Sequence, residues 1–297
     1  MKILITGAKG MLASDLIPCL AAENFELILT DKTQSEDQRI KALDVTQAHE
    51  VSEFVSFVNP DWIINCSAYT KVDDAEVNDQ AAREVNTSAV EYLAQAAKLG
   101  GARFAQISTD YVFGSDIPYG AKHAPWKEDD LASPCGVYGK TKFLGEEAAR
   151  MVLQEQALII RTSWLHGVNG PNFIDTMLRV GADKQEVSVV SDQVGSPTYT
   201  GWLSVVIRDL ILKNASGTFH ASSRGDITWA DFAEEIFKAA KMQTRVKRIS
   251  TKELGRPAPR PAYSTFCLDK LEKYLGNTAI SWKESVDLHL KRRECRP

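Results

Sequence analysis

The sequence predicts an α/β protein: a doubly wound parallel sheet with helices on both faces, joined to a smaller mixed α/β region. Three observations carry that reading. Short apolar, β-rich runs alternate with amphipathic helical stretches through the first half of the chain. A glycine-punctuated turn stands between the first of those runs and a helical segment. After about Trp164 the strands shorten and the spacing changes, as a second region built onto the first would require.

In order, the strands of the first half are "KILIT", "ELILT", "DWIIN", "RFAQIS" and "ALIIRT". Between them lie helix-like segments such as "QAHEVSEFVSFV" and "AREVNTSAVEYLAQAAKLG". Parallel strands are reached only through such crossovers, so both faces of the sheet are covered. The second helical segment ends on Gly100 and Gly101, where glycine accepts the left-handed conformation that stops a helix. In the second half, "EVSVVS" and "GTFHAS" lie between helices "FIDTMLRVGA", "GWLSVVIRDLILK" and "WADFAEEIFKAAK", with a loop rich in proline and arginine, "GRPAPRPAYS", near the end.

At 297 residues, 44% hydrophobic and 25% charged, the chain can bury a large core in one domain or two closely joined ones. A formal charge of -4 without any block of like charges gives no basic surface or arm, so neither nucleic acid nor membrane is expected as a partner. The five cysteines are scattered, with no C-x-x-C pair, and read as reduced thiols. "MKILITGAKG" enters a strand at once, and its apolar run is too short for a signal peptide or a membrane span, so a cytoplasmic location is expected. His49, His123, His166, His220 and His289 stand apart along the sequence without H-x-x-x-H spacing, and no metal site is expected from them.

The stretch "ILITGAKGMLASDLIPCL" runs from a strand through Gly7, Gly10, Met11, Leu12 and Ala13 into a helix. Glycine permits a tight turn and lets backbone N–H groups approach a pyrophosphate, which the positive end of the helix also attracts. The small residue Ala13 keeps helix and strand close. The next strand, "FELILTD", ends in Asp31, about 20 residues on, where an acidic side chain commonly accepts hydrogen bonds from an adenosine ribose. Loop and aspartate together point to a Rossmann-type sheet with NADPH or NADH as cofactor. Asp31 suits a free 2'-hydroxyl, whereas Lys9, Lys32 and Arg39 suit a 2'-phosphate, so both cofactors stay open. The expected division is a dinucleotide-binding domain over residues 1–165 and a substrate-binding region over 166–297, interleaved, with some chain returning to the first domain.

In "VYGKTKFLGEE", Tyr138 and Lys142 share one face of a helix. An ammonium beside a phenol stabilises the phenolate, and is expected to lower a pKa of about 10 by roughly 1 to 3 units. The tyrosine then donates more readily to an oxygen that gains charge as hydride reaches its carbon. "QISTDYVFG" offers Ser108 and Thr109 at the end of the fourth strand, on the side where open α/β sheets bind ligands. "DDAE", Asp73 to Glu76, reads as the acidic first turn of a helix rather than a catalytic pair.

These segments carry a resemblance. "TGAKGMLA", "STDYVF" and "YGKTK" resemble the extended short-chain dehydrogenase/reductases, which act mainly on nucleotide-linked sugars. A narrower resemblance, to the dTDP-4-dehydrorhamnose reductase family, runs nearly the full chain through "CSAYTKVDDAE", "VYGKTKFLGEE", "RTSWLHG", "NFIDTML", "DQVGSPTYT", "TWADFAEEIF" and "RPAYS". "RTSW" and "DQVGSPTYT" are its most specific parts, because they lie outside the shared cofactor machinery. It implies NAD(P)H-dependent reduction of the C4 ketone of a dTDP-bound 6-deoxy-hexulose, dTDP-4-dehydro-L-rhamnose, to dTDP-L-rhamnose.

The resemblance implies Tyr138 as proton donor, Lys142 as its pKa partner and ribose ligand, and Thr109 as the residue that tunes the tyrosine and binds the substrate oxygen. Asp110 and Trp164 would line the sugar, although a large ring near a strand end is often core packing. The cofactor would touch Gly7, Gly10, Met11, Leu12, Asp31, Asp44, Val45, Ala68, Tyr69, Thr70, Tyr138 and Lys142. The working unit would be a monomer or homodimer; some family members pair through acidic residues and a magnesium ion, so Mg2+ at a dimer interface rests on that analogy alone. Two other readings remain: another nucleotide-sugar 4-keto reductase or epimerase of this fold, and a non-catalytic NADP-binding subunit similar to the methionine adenosyltransferase β subunit. Intact Tyr138, Lys142 and Thr109 argue against the second.

Some positions depart from the family pattern. Ala13 replaces the usual third glycine, Met11 stands where glutamine is frequent, and Gly136 where asparagine is frequent. The loop "GSDIPYGAKHAPWKEDDLASPCG", between Thr109 and Tyr138, is longer than is usual and is expected beside the sugar site.

Overall fold

A computed structural model describes residues 1–121, 123–276 and 279–295. Six strands come first: β1 (Lys2–Thr6), β2 (Glu26–Asp31), β3 (Ile40–Ala42), β4 (Trp62–Asn65), β5 (Arg103–Thr109) and β6 (Leu158–Thr162). Then come β7 (Leu165–His166), β8 (Glu186–Val190), β9 (Val194–Gly195) and β10 (Thr198–Tyr199), followed by β11 (Gly217–His220), β12 (Ile227–Thr228) and β13 (Arg245–Ile249). The main sheet is seven-stranded and parallel, in the order β11-β6-β5-β4-β1-β2-β3. The chain runs outward from β1 to β3 and then returns to the other side of β1 at β4. That reversal opens a crevice beyond the carboxyl ends of β1 and β4, the place where such sheets bind ligands.

The helices of the first half are α1 (Met11–Ala21), α2 (Ala48–Val58), α3 (Val72–Ala75), α4 (Asp79–Arg83), α5 (Ala89–Gly100) and α6 (Gly136–Leu153). Those of the second are α7 (Phe173–Asp183), α8 (Thr200–Leu212), α9 (Trp229–Ala239), α10 (Thr251–Leu254), α11 (Asp269–Leu275) and α12 (Trp282–Glu294). Side chains alternate across β1: Ile3 and Ile5 pack with Leu16 of α1 and Leu203 and Ile207 of α8, while Leu4 packs with Val55 of α2, Leu93 of α5 and Ala149 of α6. Burial on both faces is why these strands read as unbroken apolar runs. A third core, with Ile174, Val187, Val189, Phe232 and Ile236, holds the second half together around the parallel pair β8 and β13.

Three local readings change. The segment expected as one helix over 82–100 contains a π turn at Glu84–Ser88, between α4 and α5. β3 escapes notice because it has only three residues, all at least partly exposed. β11 adds to the edge of the main sheet beside β6, where charged side chains cover its outer side: Glu128 Oε1 accepts from the His220 N–H at 3.1 Å and Lys270 Nζ donates to the Thr218 carbonyl at 2.7 Å. All five cysteines are free, and no helix among the described residues is long and apolar enough to cross a membrane.

Histidines isolated in sequence are not isolated in space. His166, after β6, and His289, on α12, bring their Nδ1 atoms within 3.3 Å of each other, both rings being buried, and His166 Nε2 is 2.8 Å from Ser285 Oγ. Burial, and then His289, holds His166 well below the ordinary imidazole value; burial, and then Arg161, does the same to His220.

The unfolded chain therefore takes up protons at both histidines as pH falls through about 6.5 while the folded protein does not, so stability falls with pH there. Each histidine contributes a slope of up to about 1.4 kcal/mol per pH unit. Burial pushes Asp110 up to about 6 and raises Glu128, and these carboxyls oppose the histidines below that point. The melting temperature should accordingly drop as pH falls below about 7, and less steeply once Asp110 takes up its proton near 6. A calorimetric scan flat across that window would contradict the neutral buried histidines.

Candidate active site

The loop after β1 is sewn onto the end of β2: the Ala8 N–H donates to the Thr30 carbonyl at 2.9 Å and the Lys9 N–H to Asp31 Oδ2 at 3.0 Å. Gly7 has φ +67°, and a Cβ there would stand 2.8 Å from Ser67 N and 2.9 Å from the Cys66 carbonyl carbon. Only glycine combines that conformation with that approach. α1 opens at Met11 with Gly10 as its N-cap, no capping side chain and no acidic residue in its first turn. The positive helix end thus faces the crevice without an internal anion, which fits the pyrophosphate of a dinucleotide. Ala13 is fully buried, with no room to spare between helix and sheet. The Met11 side chain packs against Gly167 and Gly170 of the second half, which leaves its backbone to face the crevice at the start of α1.

Asp44 and Val45 follow β3, whose pairing with β2 sets them beside Asp31, with the Leu43 N–H donating to the Asp31 carbonyl at 2.9 Å. Asp31 and Asp44 are half-buried and Val45 is buried. The three cations considered for a 2'-phosphate each have an acidic neighbour: Lys9 with Asp31 at 3.5 Å, Lys32 with Asp44 at 3.2 Å, and Arg39 with Asp37 at 2.7 Å.

Ala68, Tyr69 and Thr70 follow β4 across the crevice. A chain of buried side-chain hydrogen bonds forms the floor between them and the loop: Thr6 Oγ1 donates to Asn65 Oδ1 at 2.6 Å, Asn65 Nδ2 to Gln106 Oε1 at 2.8 Å, and Gln106 Nε2 to the Ile107 carbonyl at 2.7 Å. Asn86, in the π turn, clamps Tyr69 on both sides, accepting from its N–H at 2.8 Å and donating to its carbonyl at 3.1 Å. The same Nδ2 donates to Thr141 Oγ1 on α6 at 3.1 Å. The π turn widens the helix by one residue and so aims this side chain, as such bulges commonly do at functional sites. The Tyr69 hydroxyl donates to Asp74.

α6 carries Tyr138 and Lys142 past the end of β5. Two glycines let it approach: a Cβ at Gly139 would stand 2.3 Å from the Tyr111 carbonyl oxygen, and one at Gly145 2.1 Å from that of Asn86. Tyr138 meets Tyr111 edge-on at 5.4 Å, and the Thr109 hydroxyl stands near enough to its phenol to favour the phenolate. Thr109 Oγ1 also accepts from the Tyr111 N–H at 3.2 Å and bonds Asp110 Oδ1 at 3.1 Å. Strand alternation sends the neighbouring Ser108 the other way, where its hydroxyl donates to Glu146 Oε1 at 2.5 Å. Of the two hydroxyls offered by "QISTDYVFG", Thr109 alone stands with the tyrosine.

The expected depression of the phenol is not observed. Burial pushes Tyr138 up to about 12, with Thr109 pulling down and Asp110 adding to the rise. The Lys142 ammonium instead donates to the Ile107 carbonyl at 2.6 Å. Burial lowers Lys142 to about 8, against the pull of Glu146 and Cys66. Desolvation is the largest influence on each, and neither group is a neighbour that shifts the other.

Trp164 adopts φ +45° and stacks on Trp229 at 3.5 Å between ring centres, with its indole edge over Gly195, where a Cβ would be only 2.5 Å away. Its ring is half-buried, so core packing accounts for one face and leaves part of it open. The long loop after β5 is closed at its base by Ser115 N–H to the Ser133 carbonyl at 3.1 Å and pinned by Trp126, which stacks on Phe113 and donates to the Tyr263 carbonyl at 3.1 Å. Tyr119 donates to the Arg260 carbonyl at 2.9 Å, and Ser264 of the same segment faces Asp110, whose Oδ2 is buried without a hydrogen-bond partner.

The acidic turn at 73–76 is structural. Asp73 pairs with Arg260 at 2.9 Å, and Glu76 accepts from the Val137 N–H at 2.8 Å, capping α6. Gly136 makes room for that cap, since its φ is +66° and a Cβ would stand 2.8 Å from Glu76 Oε1. The sequence reading does not single out Asn86 or Glu146; a four-residue spacing from Lys142 is the one signal for Glu146, and none marks Asn86.

The comparisons fit this geometry. The family model described as the RmlD substrate binding domain matches residues 1–295. A dTDP-4-dehydrorhamnose reductase of Streptomyces griseus is 38% identical over 88% of this chain and 84% of its own. The crystal structure of a dTDP-4-dehydrorhamnose reductase from Clostridium acetobutylicum aligns with TM-score 0.91 and 39% identity, covering 99% of this chain and 100% of that one. A Bacillus anthracis dTDP-4-dehydrorhamnose reductase solved in complex with NADP aligns with TM-score 0.90 and 37% identity, covering 98% of this chain and 99% of that one.

Proposed function

Because this chain belongs to the family of the RmlD substrate binding domain, we propose that it reduces the C4 ketone of dTDP-4-dehydro-L-rhamnose, with NADPH or NADH, to dTDP-L-rhamnose. The observation that carries the reading is the grouping of Thr109, Tyr138 and Lys142 at the carboxyl end of β5, across the crevice from the uncapped start of α1.

When bound, the nicotinamide supplies a hydride to C4. Tyr138 gives its phenolic proton to the C4 oxygen as that oxygen becomes negative, and Thr109 shares the same oxygen through its hydroxyl. Lys142 holds the cofactor ribose and places a positive charge beside the phenolate that remains. Asp110 and Trp164 line the sugar, and the start of α1 holds the pyrophosphate while Asp31 reaches the adenosine ribose. Residues 1–165 serve chiefly the cofactor and 166–297 the sugar. The working unit is a monomer or homodimer in the cytoplasm, with the nucleotide sugar as its small-molecule partner. No group of three or more His, Cys, Asp or Glu among the described residues is arranged to hold a metal, and no step is routed through one.

Purified protein should oxidise NADPH or NADH when dTDP-4-dehydro-L-rhamnose, generated in situ, is supplied, and the product should co-elute with dTDP-L-rhamnose. Tight cofactor binding without oxidation would point to another hexulose or to a non-catalytic role.

A further inference from the structure

We propose that Glu146 is a positioning residue for the reduction: buried behind the reacting groups, it fixes the end of β5 that carries Thr109 and holds the Lys142 ammonium. The inference rests on the roles given above to Thr109 and Lys142. Glu146 lies one helical turn beyond Lys142 on α6 and is fully buried. Its Oε1 accepts from Ser108 Oγ at 2.5 Å and from Arg161 Nε at 2.9 Å. Its Oε2 accepts from Arg161 Nη2 at 2.7 Å and from Arg150 Nη2 at 2.9 Å. The carboxylate therefore joins α6 to β5 and β6, and through Arg150, whose Nη2 also donates to Thr218 Oγ1 at 3.0 Å, to β11.

Consecutive residues of β5 are held from this one helix. Ile107 receives the Lys142 ammonium at 2.6 Å, Ser108 is tied to Glu146, and Thr109 stands beside the Tyr138 phenol. An ion pair needed only for packing would join Glu146 and Arg161 and stop there. Here the chain of bonds passes through Ser108 to the two residues that flank it, both of which meet the reacting groups.

The charges support a second role. Lys142 is faced by Glu146 from α6 and by Cys66 from the segment after β4, and burial pushes that thiol up to about 12, so it stays neutral. Arg161 is faced by Glu146, by the half-buried Glu128, and by His220, which is neutral. Lys270 faces Glu128 and His220, and Arg150 faces Glu146. Take away the Glu146 charge and two buried cations lose their shared partner. A guanidinium does not release its proton, so Lys142 is the group that yields.

The test uses the full-length enzyme, with Glu146→Gln and Glu146→Asp compared with the parent for kcat, KM and the pH dependence of kcat/KM and of NADPH binding. Glu146→Gln should lose about tenfold or more in kcat, keep the sugar KM within about twofold, and move the alkaline limb down by about 1 pH unit. The limb of NADPH binding should move with it, a readout that needs no sugar. Should the parent fail to turn over the dTDP sugar, the proposed substrate falls while this binding readout still decides the role of Glu146. Glu146→Asp keeps the charge but cannot span Ser108 and Arg161 together, so its limb should stay in place while kcat drops several-fold. A Glu146→Gln enzyme with the parent's kcat and limbs and only a lower melting temperature would overturn the proposal. If that variant does not fold, a Glu146→Asp enzyme with the parent's kcat would overturn it equally.

Discussion

Replacing Tyr138 by phenylalanine should lower kcat by about 100- to 10,000-fold while leaving NADPH binding and the melting temperature close to those of the parent. The substitution removes one hydroxyl and keeps the ring, whose edge-on contact with Tyr111 at 5.4 Å does not need it. What is lost is the proton that the C4 oxygen requires as hydride arrives. The Thr109 hydroxyl, in the role proposed for it, would remain beside that oxygen, which is why some residual rate is expected.

The pH profile of the parent sharpens the test. With the phenol near 12 and the lysine near 8, Tyr138 keeps its proton throughout the neutral range and Lys142 titrates first. In the role proposed for Lys142 the ammonium is the active form, so kcat/KM should fall as pH rises through about 8, with the limb belonging to the lysine. Steady-state rates of Tyr138→Phe, read beside NADPH titrations, decide the matter. A variant retaining a third of the parent's kcat would remove Tyr138 from the proton-transfer step.

Gly145→Ala is expected to be the most damaging small substitution on α6. Its Cβ would be 2.1 Å from the Asn86 carbonyl oxygen, a backbone atom that cannot swing aside. α6 and the π turn must then separate, at a cost of about 1–3 kcal/mol or more. The damage should reach the cofactor as well, because Asn86 clamps Tyr69 and bonds Thr141 of α6. Both a lower melting temperature and weaker NADPH binding are therefore expected. Gly100→Ala is the control: a Cβ there meets nothing within 4 Å, and the change should be neutral or stabilise by up to about 1 kcal/mol. Equal melting temperatures for the two variants would refute the close approach.

Local pattern was sufficient for much of the molecule. The β1 and β2 runs, the intervening loop and Asp31 are contiguous in sequence, and each is recognisable because strand, turn and helix start impose their own residue types on neighbours. Tyr138 and Lys142 were legible for the same reason, as one turn of one helix. The parts that were not legible are polar groups whose partners come from far along the chain. Asn86 reaches Tyr69 and Thr141, Glu146 reaches Ser108 and Arg161, and His166 meets His289 across 123 positions. No spacing announces such pairs.

The sequence by itself determined the parallel sheet, the glycine turn into α1 and the placing of Tyr138 and Lys142 one turn apart on α6, since short-range sterics and periodic burial act between residues close in the chain. Only the tertiary structure decided that Ser108 turns away to Glu146, that β11 returns to the main sheet, and that the phenol lies near 12 instead of below 10. Those outcomes depend on which side chains share a buried space and how much water they lose there, and desolvation is a property of the packed whole.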